Sequence, residues 1–159
     1  MTCCETLPHD SHALRCELAA EVLRSSGGLR LQVSGSSMLP TVWPGDTLLI
    51  ERVEGHAVSK GDLVLVARER RLMVHRVTGK MHTPEGLRIL TRGDAMPQPD
   101  PAVPHGNVLG KVYLILRKGK RIAVSRTPRL GERAIAALAS RSDIALRVIV
   151  GIRGMRWSC

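Results

Sequence analysis

The chain has 159 residues and a mass of 17.4 kDa, with 43% apolar and 24% charged side chains, which suits one domain with a real core and excludes a disordered chain. Phe is absent and Trp43, Tyr113 and Trp157 are the only aromatics, so the core has to be aliphatic. The formal charge of +10 is uneven: residues 117–159 hold 11 basic against 2 acidic side chains, whereas residues 1–59 hold 4 against 7.

Met1 to Pro8 carries no basic residue and no apolar core, so no secretory signal peptide is legible. The longest uncharged stretch, Leu31 to Gly45, is broken by Pro40, Pro44, two glycines and three serines, so no transmembrane helix is expected either. The chain is therefore expected in the cytoplasm or peripherally on a membrane. Cys3, Cys4, His9, His12 and Cys16 crowd five potential zinc ligands into fourteen residues, but their spacing matches no zinc motif and no metal is expected. The four cysteines, with Cys159 the last, form no C-x-x-C pair and do not read as a disulfide framework.

With an N-cap at Asp10 or Ser11, Leu14, Leu18 and Val22 recur every four residues while Glu17, Glu21 and Arg24 take other faces. That spacing predicts an amphipathic helix with Leu14, Leu18 and Val22 inward, closed by Gly27-Gly28. From Leu29 the pattern changes to short apolar runs punctuated by Gly, Pro and Asp, which predicts strands near Leu29–Val33, Thr47–Val53, Asp62–Ala67, Leu72–Thr78, Leu87–Thr91, Val108–Leu116 and Ile122–Ser125. Gly-Asp occurs at Gly45-Asp46, Gly61-Asp62 and Gly93-Asp94, where it reads as turn chemistry. Beyond Pro128 a helical period returns through Leu130, Ala134, Ile135 and Leu138, and the run Ile144 to Ile152 fits helix or strand. The fold class is mainly β: a small antiparallel sheet or barrel-like domain over residues 29–125, with an N-terminal helical segment (1–28) and a basic C-terminal extension of one or two helices (126–159).

Two places carry chemistry. Ser34-Gly35-Ser36-Ser37-Met38-Leu39-Pro40-Thr41 sets three hydroxyls and a glycine between two strands, and a serine on a tight turn can present its Oγ and its own N–H to one carbonyl. In Leu72-Met73-Val74-His75-Arg76-Val77, alternation sends Met73, His75 and Val77 to one face and Leu72, Val74 and Arg76 to the other. His75 thus stands on a mostly apolar face, where a neutral imidazole can take a proton from a serine. A carboxylate to orient that ring is available at Asp94 or Asp100, in a proline-rich loop.

The ordered set Ser-Met-x-Pro-Thr, Gly-Asp and a strand, Gly-Asp-Leu-Val-Leu-Val, Val-His-Arg-Val, Leu-Thr-Arg-Gly-Asp with a later Asp, and Val-Leu-Gly-Lys-Val resembles the catalytic domain of the type I signal peptidases. Their superfamily also contains the LexA-type self-cleaving repressors. The resemblance runs from about Leu31 to Leu116. It implies Ser37 as nucleophile. The position where most bacterial members carry a base lysine is His75, which implies the Ser-His branch. In that branch an Asp six residues beyond the Gly-Asp aspartate completes a triad, which implies Asp100, with Asp94 as the alternative or an accessory group. The Ser37 N–H with the Ser34 or Ser36 hydroxyl would hold the oxyanion. Met38 and the strand Leu31 to Val33 would line shallow pockets for small side chains.

The activity so implied is a serine endopeptidase that cuts extended peptides after small residues through an acyl-enzyme, with no cofactor. Its partners would be a peptide or protein substrate and, through the basic C-terminal region, an anionic membrane surface. Nucleic acid is disfavoured, because stacking aromatics are missing among the basic residues. Two alternatives stand beside it: a LexA-like self-processing regulatory protein, for which residues 1–30 supply only one clear helix, and an inactive peptide-binding domain.

Overall fold

Among the described residues, apolar runs bounded by turns are realised as eight antiparallel strands in one sheet. A computed structural model describes residues 10–127 of the chain. Helix α1 (Asp10–Ser26) precedes β1 (Gly28–Gln32), β2 (Thr47–Arg52), β3 (Leu63–Arg68), β4 (Arg71–Thr83), β5 (Gly86–Arg92), β6 (Val103–Pro104), a 3-10 turn (His105–Asn107), β7 (Val108–Arg117) and β8 (Lys120–Ala123). The strand order is β1-β2-β7-β3-β4-β5-β6, with β8 paired to β7. The ends of that row do not meet, so of the two expected architectures the molecule adopts the open sheet and not a closed barrel. The expected helix after Pro128 and the run Ile144 to Ile152 lie outside the described residues, as do Cys3, Cys4, His9 and Cys159.

Each face of the sheet carries a core. On one, Leu48 and Ile50 of β2, Leu63 and Leu65 of β3, and Val112 and Ile115 of β7 pack with Leu23, Met38 and Val42. On the other, Val64 and Val66 of β3 pack with Val58, Val77, Ile89, Val103 and Val108. The unbroken Leu63-Val64-Leu65-Val66 run thus feeds alternate residues to two cores, as a strand covered on both faces requires. β4 runs to Thr83, beyond the expected end at Thr78, because an irregularity between Val77 and Gly79 resets its register and lets it continue beside β5. β6 escaped the sequence reading because a two-residue strand containing a proline shows no alternation.

The helix is rolled differently from its expected orientation. Leu14 and Leu18 are each 55% exposed and Val22 is exposed as well, while Leu23, at 1%, enters the core with Ala19 buried beside the sheet. Gly27, at φ +72°, sends its N–H back to the Leu23 carbonyl (3.1 Å) and turns the chain straight into β1. That short connection fixes the roll of α1 by where β1 must lie, not by its own most apolar stripe. Leu23→Ala is expected to cost about 3 kcal/mol in urea unfolding, and Leu18→Ala less than about 0.5 kcal/mol. The reverse order would mean that α1 packs on its Leu14–Leu18–Val22 face.

Candidate active site

Ser37 lies in a turn between β1 and β2, closed by the Leu39 N–H on the Ser36 carbonyl (3.1 Å) and the Val42 N–H on the Met38 carbonyl (3.0 Å). Met38 and Leu39 are buried beneath it, so two apolar side chains fix the turn to the core while Ser37 stays part-exposed. Met38 is a member of the core cluster around Leu23 and Leu48. Ser34 is exposed and Ser36 half-buried on the approach to the turn. The floor of the turn is held by the Trp43 indole N–H on the Pro40 carbonyl (2.6 Å) and the Trp43 backbone N–H on Asp46 Oδ2 (2.8 Å).

The fold brings Ser37, His75 and Asp100 into one line. His75 Nε2 is 3.0 Å from Ser37 Oγ, and its Nδ1 is 2.6 Å from Asp100 Oδ2. A carboxylate only accepts, so Nδ1 carries the ring proton and Nε2 keeps a lone pair toward the serine hydroxyl. Both the imidazole and the Asp100 carboxylate are largely buried. Asp100 is fixed from β5: its N–H bonds to the Thr91 carbonyl (2.9 Å), and Thr91 Oγ1 donates to Asp100 Oδ2 (2.7 Å).

Asp94 does not touch His75. It takes a forked contact from Arg76, with Nε 2.8 Å from Oδ1 and Nη2 2.7 Å from Oδ2, and accepts from Thr41 Oγ1 at 2.5 Å. Arg76 Nη1 also donates to the carbonyls of Gly61 (2.9 Å), Ser125 (2.8 Å) and Arg126 (3.3 Å). The same loop reaches the Ser37 turn by the Ala95 N–H on the Ser37 carbonyl (2.9 Å). Gly93 is needed for that approach: a Cβ there would stand 2.6 Å from the Ser37 carbonyl oxygen and 3.2 Å from His75 Nε2.

Thr41, Arg76 and Thr91 were not singled out from the sequence. Arg76 adjoins His75, and a charged residue inside an otherwise apolar strand was the available signal for a buried partner. Of the five terminal cysteines and histidines weighed as potential zinc ligands, the described ones, His12 and Cys16, both lie on α1, where burial and the neighbouring Glu17 charge push the Cys16 thiol above its ordinary value.

A serine, a histidine and a carboxylate in hydrogen-bonded series are the parts of a nucleophile with its general base. The sequence matches the family described as Peptidase S24-like over residues 4–112, which takes in all three residues and most of the sheet. The chain belongs to the S24-like peptidase family. That family lies within the LexA and signal-peptidase superfamily. No curated protein matches the chain.

In this S24-like domain the two carboxylates of one loop differ in what their removal leaves behind. Asp94→Asn strands a buried guanidinium and is expected to cost about 3 kcal/mol in urea unfolding. Asp100→Asn, facing a neutral imidazole, is expected to cost about 1 kcal/mol. Equal losses would contradict the division of the pair into one structural and one ring-orienting group.

Proposed function

We propose that this protein is a serine endopeptidase that cleaves extended peptides after small residues through an acyl-enzyme on Ser37. The single observation that carries the reading is the unbroken series from Ser37 Oγ through His75 to Asp100. In this mechanism Ser37 Oγ attacks the scissile carbonyl as its proton passes to His75 Nε2. The imidazolium then gives that proton to the leaving amine, while Asp100 holds the Nδ1–H. Water, activated by the same nitrogen, releases the acyl group and restores the serine. The Ser37 N–H and a hydroxyl from Ser34 or Ser36 are the donors assigned to the oxyanion.

The β4 edge supports an extended substrate. Val77 sends its N–H to the Asp62 carbonyl (2.8 Å), so the odd-numbered residues of β4 bond toward β3 and the even-numbered ones turn away. Arg76 meets Arg92 of β5, but β5 stops there. The outward peptide groups of Leu72 and Val74 therefore lie on a strand edge that no strand among the described residues covers, immediately before His75. A peptide added along that edge would bring its carbonyls past the serine by main-chain bonds alone, leaving side-chain choice to the neighbouring surface.

Family membership favours one second reading, cleavage of the chain's own backbone as in LexA-type repressors. Among the described residues no helix is long and apolar enough to cross a membrane, and contact of the basic C-terminal region with anionic lipid is proposed as the route to membrane-borne substrates. Mass spectrometry of Ala-x-Ala peptides incubated with the protein, with and without anionic vesicles, tests these readings together. Cleavage is expected with wild type, falling by at least about ten-thousand-fold in Ser37→Ala and His75→Ala and by about ten-thousand-fold in Asp100→Asn. Loss of intact chain at a rate independent of its concentration would favour self-cleavage. Absence of both reactions over days would leave a peptide-binding domain.

A further inference from the structure

Asp100 sits in a loop bearing Pro97, Pro99 and Pro101, and such a loop has no ladder of its own to hold a carboxylate against a histidine ring. Its hold comes from β5. Thr91 pairs with Val77 across the β4–β5 ladder, and Val77 is two residues from His75, so Thr91 and His75 present their side chains on one face of the sheet. Thr91 is 2% exposed. It grips Asp100 twice, accepting the Asp100 N–H at its carbonyl and donating its hydroxyl to Oδ2, the same oxygen that faces His75 Nδ1. A buried hydroxyl whose one proton is committed to that oxygen has a fixed direction, and it leaves Oδ2 with two donors converging on it.

We infer that Thr91 is a positioning residue of the proton relay: through its hydroxyl it sets the rotamer of Asp100 and hence the tautomer and orientation of His75. The inference rests on the reading of Ser37, His75 and Asp100 as a catalytic series. Thr91 makes no contact with Ser37 in that arrangement and acts only through the carboxylate. Its hydroxyl should therefore matter to turnover and not to substrate affinity, and should matter only while an ionised carboxylate stands at residue 100.

Kinetics of Ala-x-Ala peptide cleavage by wild type, Thr91→Val, Thr91→Ser, Asp100→Asn and the double variant Thr91→Val/Asp100→Asn test this, with thermal melting of each as the control for folding. Valine keeps the β-branched shape and loses the donor; serine keeps the donor. The expected result is a fall in kcat of about tenfold in Thr91→Val with KM unchanged, recovery to within about twofold in Thr91→Ser, and no further loss when Thr91→Val is added to Asp100→Asn. Thr91→Cys serves as a second hydroxyl-free variant if valine prevents folding. A Thr91→Val enzyme with wild-type kcat overturns the inference, as does an additive loss in the double variant, which would mark Thr91 as part of the packing alone. A wild-type protein that neither cuts peptide nor reacts at Ser37 with a fluorophosphonate overturns the reading of the site itself, and is told apart by failing before any Thr91 variant is compared.

Discussion

His75 and Arg76 are successive residues of one strand, and successive side chains of a strand leave on opposite faces. Whatever loop serves both must therefore reach around the strand. The segment from Gly93 to Asp100 does so, giving Asp94 to Arg76 and Asp100 to His75. A forked, largely buried arginine–carboxylate contact fixes direction as well as distance, so one end of the loop is immobilised by Arg76 before the other is asked to present Asp100. The pair is a poor source of net stability, since desolvation offsets most of its attraction. Its value is that the loop has one low-energy path past the strand edge.

The Ser37 turn is held by the same device from two sides. Thr41 Oγ1 donates to Asp94 on one side, and on the other the Thr41 carbonyl accepts from Arg117 Nη2 at 3.0 Å, with Arg117 also forked onto Asp46. Asp62 completes the series, taking Arg126 Nε at 2.9 Å. Each of the three Gly-Asp aspartates thus receives an arginine distant in sequence, from β4, from the end of β7 and from beyond β8. Two of them act as turn formers too: Gly45 and Gly61 have φ of +88° and +94°, and Asp46 and Asp62 cap backbone N–H groups three residues back. Each such pair neutralises one cation with one anion, so the net charge of +10 is left to the remaining side chains.

These clamps surround a hydrogen-bonded series whose side chains come from separate elements: Ser37 from the turn before β2, His75 from β4 and Asp100 from the loop after β5. The β4 edge beside His75, left unpaired among the described residues, is a consequence of the same arrangement. β5 cannot extend along Leu72 and Val74, because at Arg92 the chain leaves the sheet to form the loop that carries both carboxylates. The departure that supplies the carboxylates also frees the edge on which the proposed extended substrate would be laid.

By itself the sequence determined the mainly β class, the N-terminal helix with its closing glycine, most strand positions and the facing of His75, because alternation, helical period and turn preference act between residues near in sequence. The candidates Ser37 and His75 were legible for the same reason, as a hydroxyl on a turn and an imidazole in an apolar strand. Local pattern left Asp94 and Asp100 open and the family resemblance implied Asp100; the tertiary structure sets Asp100 against the imidazole and Asp94 against Arg76, since the two share a loop and differ in what lies across from them. It decided the roll of α1, set by the short link to β1 and by the room for Leu23, and the burial of Met38 beneath its turn. It alone decided the arginine partners of the three Gly-Asp turns, the farthest of them 71 residues away. Contacts of that kind depend on how distant segments close in space, and a local pattern carries no record of that closure.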